Sequence, residues 1–388
     1  MVKKFDAKSF LRSMLVPILF LIVISFAIPL SGFTSSHLIK EVMTRLARDS
    51  FLAVALIIPI LAGMGINFAI SLGAMSAQIG VIMSQNWLIG EKIGGIGGLL
   101  VAALIALPIA IGLGYFAGSV MNKARGREMI TSMILAFLVT GFYQFFVLFI
   151  CGKVIPITNK EILLSRGYGI RNTIRLETAG AFDDLLMVKV KVPGLMRPIE
   201  FPFFTYILIA LACIFVIWFK RTKLGQDFRS VGQSQRVANS AGLHVDQIRV
   251  QSVMISTVLA MFGQLIFLQS IGTMNVYSGT DQTSLFAAAA ILVGGASVAK
   301  ATIPNIFIGV ALFHTMFIVM PNAGKALTGN PAIGEYFRSF ISYGVVTLAL
   351  VMHAWSRAKA RDDERKRLRR DKTDAAEAAK KASAENTP

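Results

Sequence analysis

The sequence predicts an all-α membrane protein, a polytopic helical bundle of about ten transmembrane segments with interrupted helices near the midplane of the bilayer. Of its 388 residues, 55% are hydrophobic and only 15% are charged, and the mean hydropathy is +0.65. So much apolar surface is difficult to hide inside one soluble core. Apolar runs of about 17 residues or more recur, each long enough to cross the hydrocarbon layer as a helix. They lack the alternation typical of a transmembrane β-barrel.

The first apolar run covers about residues 14–30 and follows a basic N-terminus. A secretory signal would be followed by a small-x-small cleavage site, which is absent here, so an uncleaved anchor is favoured. We expect a polar loop at 31–50. Residues 51–90 are nearly uncharged and too long for one span, so they must fold back. The break is expected near 71–80, where two glycines and two serines interrupt the apolar pattern.

The remaining spans are predicted from further apolar runs. The run at 284–299 is so short that it is either irregular or stops inside the protein. In order, these runs cover about residues 95–120, 129–151, 202–219, 251–271, 284–299, 303–321 and 336–355.

The placement of charge predicts the orientation. The formal net charge of +18 might have suggested nucleic acid as a partner, but the basic residues lie in the N-terminus, in short loops and in the C-terminal tail. Cytoplasmic loops of membrane proteins carry this excess of Lys and Arg. We therefore expect a cytoplasmic N-terminus at 1–13, a transmembrane domain at 14–355 and a basic cytoplasmic tail at 356–388, frayed or disordered. Within the domain, 156–200 would be external and 220–250 cytoplasmic.

The sequence argues against an enzyme. Cys151 and Cys213 lie in apolar runs, which excludes a disulfide framework or a C-x-x-C metal site. There is no H-E-x-x-H motif and no G-x-x-x-x-G-K-[ST] loop, so the chain should not hydrolyse ATP by itself. We expect no catalytic residues, cofactor or metal.

Residues 222–250 are polar and glycine-punctuated, although they lie between two very apolar runs. Within them RVANSAG predicts a short helix closed by a glycine. The segment resembles the cytoplasmic coupling loop of ABC importer permeases in the superfamily that includes ribose, galactose, purine-nucleoside and branched-chain amino-acid permeases. An ordinary solvated loop is the alternative. The resemblance is carried, in order, by Thr222, Leu224, Gly225, Arg229, Val231, Gly232, Ala238, Gly242, Val245 and Arg249.

Two further segments are similar to the same family. Residues 65–80 match its broken helix, with Gly65, Gly73 and Gly80 in register, and 285–300 match its late GG-x-S segment. The chain departs from ribose-type relatives at Ala74 and Ser76, where a glycine and an acidic residue are common, and in lacking glycines at 298–301. Substrate contacts therefore should not be transferred. The resemblance covers about residues 50–355, and 127–137 leans toward the simple-sugar and nucleoside branch.

The resemblance implies a permease subunit in a prokaryotic inner membrane, with both termini cytoplasmic. A separate ABC ATPase would grip the coupling loop, a substrate-binding protein would dock outside, and a second permease subunit, identical or different, would complete the channel. Membrane lipids are the other partner, and no nucleic acid is expected. The residues expected to couple the permease to the ATPase are Gly232, Arg236, Ala238, Gly242 and Val245.

Broken helices expose polar backbone only beside protein or a wet cavity, so the two interrupted segments are the best candidates for the translocation path. The alternative is that their glycines and serines merely pack helices. Gln264 and Gln269 would add polar contacts, interhelical bonds being favoured, and for His314 a packed histidine is favoured over a substrate or proton role. The candidate path residues are Asn67, Ser71, Gly73, Ser76, Gln78, Gly294, Gly295 and Ser297.

A path lined by hydroxyls and amides suits a small neutral polar solute, such as a simple sugar or nucleoside. A branched-chain amino acid is the alternative within the family. An ion-coupled secondary transporter is less favoured because buried carboxylates are scarce in the predicted spans. A scaffold that transports nothing would tolerate rebuilding of 71–80, whereas a permease should not.

Overall fold

The computed structural model describes residues 7–190 and 198–340, together with residues 343, 344, 347, 351 and 355. Helices dominate these residues, which confirms the predicted all-α polytopic class. The first six helices are α1 (Ala7–Ser31), α2 (Ser35–Ala55), α3 (Ile57–Leu61), α4 (Ile70–Asn86), α5 (Ile89–Lys123) and α6 (Glu128–Phe145), which continues as a π-helical turn, Phe146–Ile150.

Six more helices and four short strands follow. The strands form two antiparallel pairs, β1 with β4 and β2 with β3. The helices are α7 (Phe203–Phe219), α8 (Lys223–Gln233), α9 (Gln235–Ser240), α10 (Val245–Ile271), α11 (Thr283–Val293) and α12 (Ile303–Thr328); the strands are β1 (Thr173–Arg175), β2 (Met187–Val190), β3 (Ile199–Pro202) and β4 (Thr273–Asn275).

Within the described residues, four helices are long and apolar enough to cross a membrane: α5, α6 with its π-helical turn, α10 and α12. Helices α7 and α8, bent by 74° relative to each other, form a fifth candidate. There are also two shorter apolar helices. One is Val16–Ser31, which is part of α1, and the other is α11. The total of about ten spans stays a prediction, because the last apolar run, the tail at 356–388 and residues 1–6 lie wholly or partly outside the described residues.

The predicted polar loop at 31–50 is wrong, since most of it belongs to helix α2. The charged residues of α2 recur at helical spacing, with Arg45 Nε 3.7 Å from Glu41 Oε2 one turn earlier. Ala47 is buried, as is the apolar end of the helix from Ser50 to Ala55. A segment with charged residues on a helical repeat was therefore mistaken for a connection between spans.

The helix break lies at residues 62–69, and 71–80 are continuous helix within α4. Gly63 and Gly65 in the break have φ of +73° and +75°, a region that strains other L-residues. Gly73 instead permits close packing, because a Cβ there would lie 2.2 Å from the carbonyl oxygen of Thr257 in α10. Gly80 is equally close to the carbonyl oxygen of Ala102 in α5. Glycine in this stretch serves helix contact, and the turn uses the glycines before it.

Helix α4 lies at the centre of the bundle, where every residue except Ile79 is buried. It packs between α5 and α10. Helix α11 ends at Val293 and is followed by Gly295 with φ of +83°, so the expected short span stops inside the protein. The segment between α6 and α7 contains β1, which pairs with β4 after α10. Strand pairing thus ties residues 173–175 of this segment to the chain directly after α10.

Candidate translocation and coupling site

The polar side chains of the first candidate path segment are buried in helix packing. Asn67, Ser71, Ser76 and Gln78 are each 2% exposed or less. Ser71 Oγ donates to the carbonyl oxygen of Phe68, and Ser76 Oγ donates to that of Gly73 at 2.6 Å. Each hydroxyl thus bonds to the carbonyl oxygen three residues earlier, a common local hydrogen bond of serine. None of these side chains lines the cavities described below.

Gln78 connects three elements. The hydroxyl of Tyr143 in α6 donates to Gln78 Oε1 at 2.7 Å, and Gln78 Nε2 donates to the carbonyl oxygen of Asn275 at 3.3 Å. Because Asn275 ends β4, the segment between β4 and α11 reaches the middle of α4. Gln78 therefore holds this segment inside the bundle.

The second candidate path segment follows α11. Asn305 Nδ2 donates to the carbonyl oxygen of Gly294 at 2.6 Å, and a Cβ at Gly294 would lie 1.7 Å from the carbonyl oxygen of Asn305. Gly294 is thus held against α12 backbone to backbone. Ser297 is exposed, and its Oγ accepts a hydrogen bond from the Lys300 amide. The structure brings the two interrupted segments together, since a Cβ at Gly65 would lie 3.0 Å from Val298 Cγ1.

The expected coupling segment folds as two short helices, each with a side-chain N-cap. Thr222 Oγ1 accepts from the Gly225 amide before α8, and Ser234 Oγ accepts from the Val237 amide before α9. The expected short helix closed by glycine is present, because α9 ends at Ser240 and Gly242 has φ of +82°.

The end of α8 contacts the helix break. A Cβ at Gly232 would lie 2.1 Å from the carbonyl oxygen of Leu61, the last residue of α3. A Cβ at Gly63 would in turn lie 2.9 Å from Gly232 Cα. No side chain separates the two backbones, so a displacement of α8 acts directly on the break.

The five candidate coupling residues fall into three groups. Ala238 and Val245 are 3% and 6% exposed, so they pack toward the rest of the chain. Gly232 is exposed but touches the break, and Arg236 and Gly242 are exposed without touching it. Val237, which the sequence analysis did not single out, is 67% exposed on the surface of α9.

A cavity of about 450 Å³ lies where α3, α8 and the segment after α11 meet. Lys220 and Arg229 line one side and Lys300 the other. Burial lowers the pKa of Lys220, and the neighbouring Arg229 lowers this pKa further. Because these three basic side chains line the cavity, the junction of the two interrupted segments with α8 is basic.

A buried ion pair joins α6 to α10. Arg249 Nη2 lies 2.6 Å from Glu128 Oε1, and the side chains are 0% and 10% exposed. Arg249 Nε and Nη1 have no hydrogen-bond partner among the described residues. Arg249 had been singled out only as the last residue of the family-like pattern, and Glu128 was missed.

His314 lies beside a largely buried aspartate that was not predicted from the sequence. His314 Nε2, near the middle of α12, lies 3.2 Å from Asp49 Oδ2, and Arg48 Nε lies 3.4 Å from the same oxygen. Asp49 went unnoticed because α2 was taken for a loop. The charged residues of α2 repeat at helical spacing, and this pattern is the sequence feature that would have identified the segment as a helix.

The Asp49–His314 pair lines a cavity of about 290 Å³ between α2, α10, α11 and α12. Its polar lining is Asp49, Ser278, Asp281, Gln282, Thr283 and His314, and its apolar lining is Leu52, Phe267, Phe286, Ala287, Ala290 and Val310.

The two glutamines of α10 differ. Gln269 Oε1 accepts from the Phe182 amide at 3.1 Å, and its Nε2 donates to Asp183 Oδ1 at 3.0 Å. These bonds reach the segment between α6 and α7, whereas interhelical bonds had been favoured. Gln264 is 1% exposed and has no hydrogen-bond partner among the described residues.

The chain matches one protein family over most of its length. The model of the family described as "Branched-chain amino acid transport system / permease component" matches residues 38–351. No curated protein and no solved structure matches the chain. The matched residues include the helix break, the short helices after α7 and both interrupted segments. The chain therefore belongs to this family of transport permeases and is a multi-pass membrane protein.

Proposed function

We propose that this protein is the permease subunit of an ATP-driven importer, that it conducts a simple sugar or nucleoside, and that a separate ATPase moves it through α8 and α9. The observation that carries the proposal is the backbone contact of Gly232 with Leu61 and Gly63. It supports a mechanism in which force applied to the short helices reaches the broken helix without an intervening flexible side chain.

The exposed face of α9 is the surface we assign to the ATPase. Arg236 and Val237 are both exposed there, on a short helix whose Ala238 is anchored in the permease. Arginine is enriched in protein interfaces, and Val237 adds apolar surface beside it. The residues buried beneath it, Ala238 and Val245, would transmit the movement to α10.

The translocation path is proposed to follow the two interrupted segments, which meet at Gly65 and Val298. Asn67, Ser71, Ser76 and Gln78 are buried here, so in this proposal they become accessible only when α8 shifts the break. Gly73, Gly294 and Gly295 would allow the accompanying close approach of helices, and Ser297 would lie at the cytoplasmic end.

We further propose an inner-membrane location with both termini cytoplasmic. The segment at 156–200 would receive a substrate-binding protein, 14–355 would form the transmembrane domain and pair with a second permease subunit, and 356–388 would anchor the tail at the membrane surface. A branched-chain amino acid is the second candidate solute, because the family description names that class.

The coupling is tested in proteoliposomes that contain the complete importer. Gly232→Ala places a methyl group against the Leu61 carbonyl oxygen, so α8 must move away from the break. We expect ATP hydrolysis to continue while uptake falls about tenfold, the effect of roughly 1.4 kcal/mol on the coupled step.

The matched control is Gly141→Ala in α6, where an added Cβ meets nothing within 4 Å. Its uptake should equal that of the unchanged protein. Normal uptake by Gly232→Ala would contradict the coupling role. Uptake that survives inactivation of the ATPase would instead identify a secondary carrier.

A further inference from the structure

We propose that the cavity beside Asp49 and His314 is a solute-binding chamber, in which His314 Nδ1 accepts a hydrogen bond from a hydroxyl or N–H group of a neutral solute. This inference rests on the proposed function, because it assigns a binding site and a ligand class to the same permease. The chamber lies apart from the expected path residues, which are in the helix break, in α4 and after α11.

The chamber has an open polar end and a closed apolar end. Ser278, Asp281 and Gln282 at one end are exposed, whereas Ala287 and Ala290 at the other are 6% and 2% exposed. Its volume of about 290 Å³ is just below the range for small-molecule sites, about 300–1,000 Å³. A solute of one or two rings fits this space.

His314 is a buried group with an unmet hydrogen bond. Its Nε2 lies 3.2 Å from Asp49 Oδ2, and the carboxylate favours the neutral tautomer that carries its proton on Nε2. Nδ1 is then an acceptor, and it has no partner among the described residues although His314 is only 6% exposed. Buried polar atoms are normally hydrogen-bonded, and because His314 lines the chamber we assign the missing donor of Nδ1 to a bound solute.

The rest of the polar lining favours the same ligand chemistry. Asp281 is a carboxylate at the open end, and among the described residues no lysine or arginine lines the chamber. Acceptors therefore outnumber cationic donors, which suits a solute rich in hydroxyl groups. The charge of Asp49 is already opposed by Arg48, so a neutral solute fits better than a cation.

The two aromatic rings of the lining supply the apolar surface that a sugar or base needs. Phe286 is held in place by Phe317 at a centroid distance of 5.0 Å in a perpendicular arrangement. Phe267 carries the Arg48 guanidinium over one face at 5.1 Å. Rigid aromatic walls beside acceptors bind a ring that has both an apolar face and donating edges.

The same lining disfavours a branched-chain amino acid. The carboxylate of such a solute needs a cation or several N–H donors, but the described lining contains no lysine or arginine and places the Asp281 carboxylate at the open end. Like charges at close range are unfavourable in a partly dehydrated site. The lining of the chamber thus favours a sugar or nucleoside over a branched-chain amino acid, the two solute classes that the family resemblance leaves open.

The experiment measures protection of a cysteine in the chamber of the assembled importer, without nucleotide. Thr283→Cys places a thiol in the lining, where residue 283 is half-buried, and a water-soluble maleimide reports access to it. Cys151 and Cys213 are buried and set the background in the unchanged protein. The probes are ribose, uridine and leucine. We expect ribose or uridine to slow the labelling and leucine to have no effect.

The contribution of His314 is measured in the same assay. His314→Leu removes the acceptor and should raise the concentration needed for half-protection about tenfold, as expected for loss of one buried hydrogen bond. His314→Gln retains an acceptor and should recover part of the affinity. His37→Leu is the matched control, because His37 is exposed at the start of α2 beside Phe33.

Absence of protection by both ribose and uridine, protection by leucine, or an unchanged effect in His314→Leu would each overturn the proposal. Failure of the coupling mechanism is recognised separately. In that case Gly232→Ala would transport normally, while protection of the chamber cysteine, measured without nucleotide, would persist.

Discussion

At the scale of single residues, two ion pairs near the start of α10 illustrate how burial determines the contribution of an ion pair to stability. Arg249 and Glu128 are enclosed by the bundle, with 0% and 10% of their side chains exposed. Arg125 and Asp246, one turn earlier, form a pair whose side chains are 56% and 60% exposed. Both pairs join the α5–α6 region to α10, so they differ mainly in hydration.

Removal of the buried acid should strongly destabilise the protein. Glu128→Ala leaves the Arg249 guanidinium buried without its counter-charge, which costs about 3–5 kcal/mol. Asp246→Ala should lower the free energy of unfolding by less than about 1 kcal/mol, as expected for an exposed pair. Denaturation of the purified protein in detergent measures both changes. Equal losses in the two variants would show that Arg249 and Glu128 have no special role.

At the scale of elements, α11 and α12 meet through glycine. A Cβ at Gly309 in α12 would lie 1.8 Å from the carbonyl oxygen of Ala290 in α11. The contact with Gly294, directly after the end of α11 and about one turn beyond Ala290, repeats this close approach. The position of α11, and with it one wall of the chamber, therefore depends on the absence of side chains at these two positions.

Gly309→Ala should separate the two helices. The added methyl group overlaps a backbone atom that cannot turn aside, and overpacking of this kind costs about 1–3 kcal/mol. We expect a lower thermal midpoint together with faster labelling of the Thr283→Cys reporter. Gly112→Ala in α5 is the control, because an added Cβ there meets nothing within 4 Å. A thermal midpoint for Gly309→Ala equal to that of the control would contradict the close contact.

The apolar runs were sufficient to predict the helical class and the approximate bounds of most long helices. Residues 95–120, for example, lie within α5, and α10 includes 251–271. The short run at 284–299 left open an irregular span or one that stops inside the protein, and α11 ends at Val293 within it. Hydrophobic length is a local property, so it can be read directly from the sequence.

Tertiary contacts determine the features that local sequence patterns did not predict. Gly73 and Gly80 resemble turn residues by composition, yet they lie inside a helix. Their lack of a side chain allows the backbones of neighbouring helices to approach them. Asp49 became a site residue only through its distance to His314, which is 265 positions away in the chain. Local composition carries no information about such approaches, so the break was misplaced and the chamber was missed.

At the scale of the whole molecule, α10 separates two chemically different ends. Its 27 residues span about 40 Å at 1.5 Å per residue, enough to exceed a hydrocarbon layer of roughly 30 Å. Its first turn adjoins α9, and its last residue, Ile271, precedes β4, which pairs with β1. The coupling segment and the segment at 151–202 therefore lie at opposite ends of the bundle.

The charge difference between these ends sets the expected orientation. Residues 220–250 contain six basic and two acidic residues, whereas 156–200 contain seven basic and five acidic residues over a longer stretch. The end with the larger basic excess for its length should face the cytoplasm. Lys160 and Ser240 are exposed at the two ends and provide suitable positions for reporters.

Lys160→Cys should react with a membrane-impermeant maleimide in intact bacterial cells, and Ser240→Cys should react only after the membrane is permeabilised. The unchanged protein supplies the background, since Cys151 and Cys213 are buried. Reaction of Ser240→Cys in intact cells would place α9 on the exterior, out of reach of a cytoplasmic ATPase. Because Gly232 touches the helix break from the same end as Ser240, that result would remove the basis for nucleotide-driven coupling as well as the orientation.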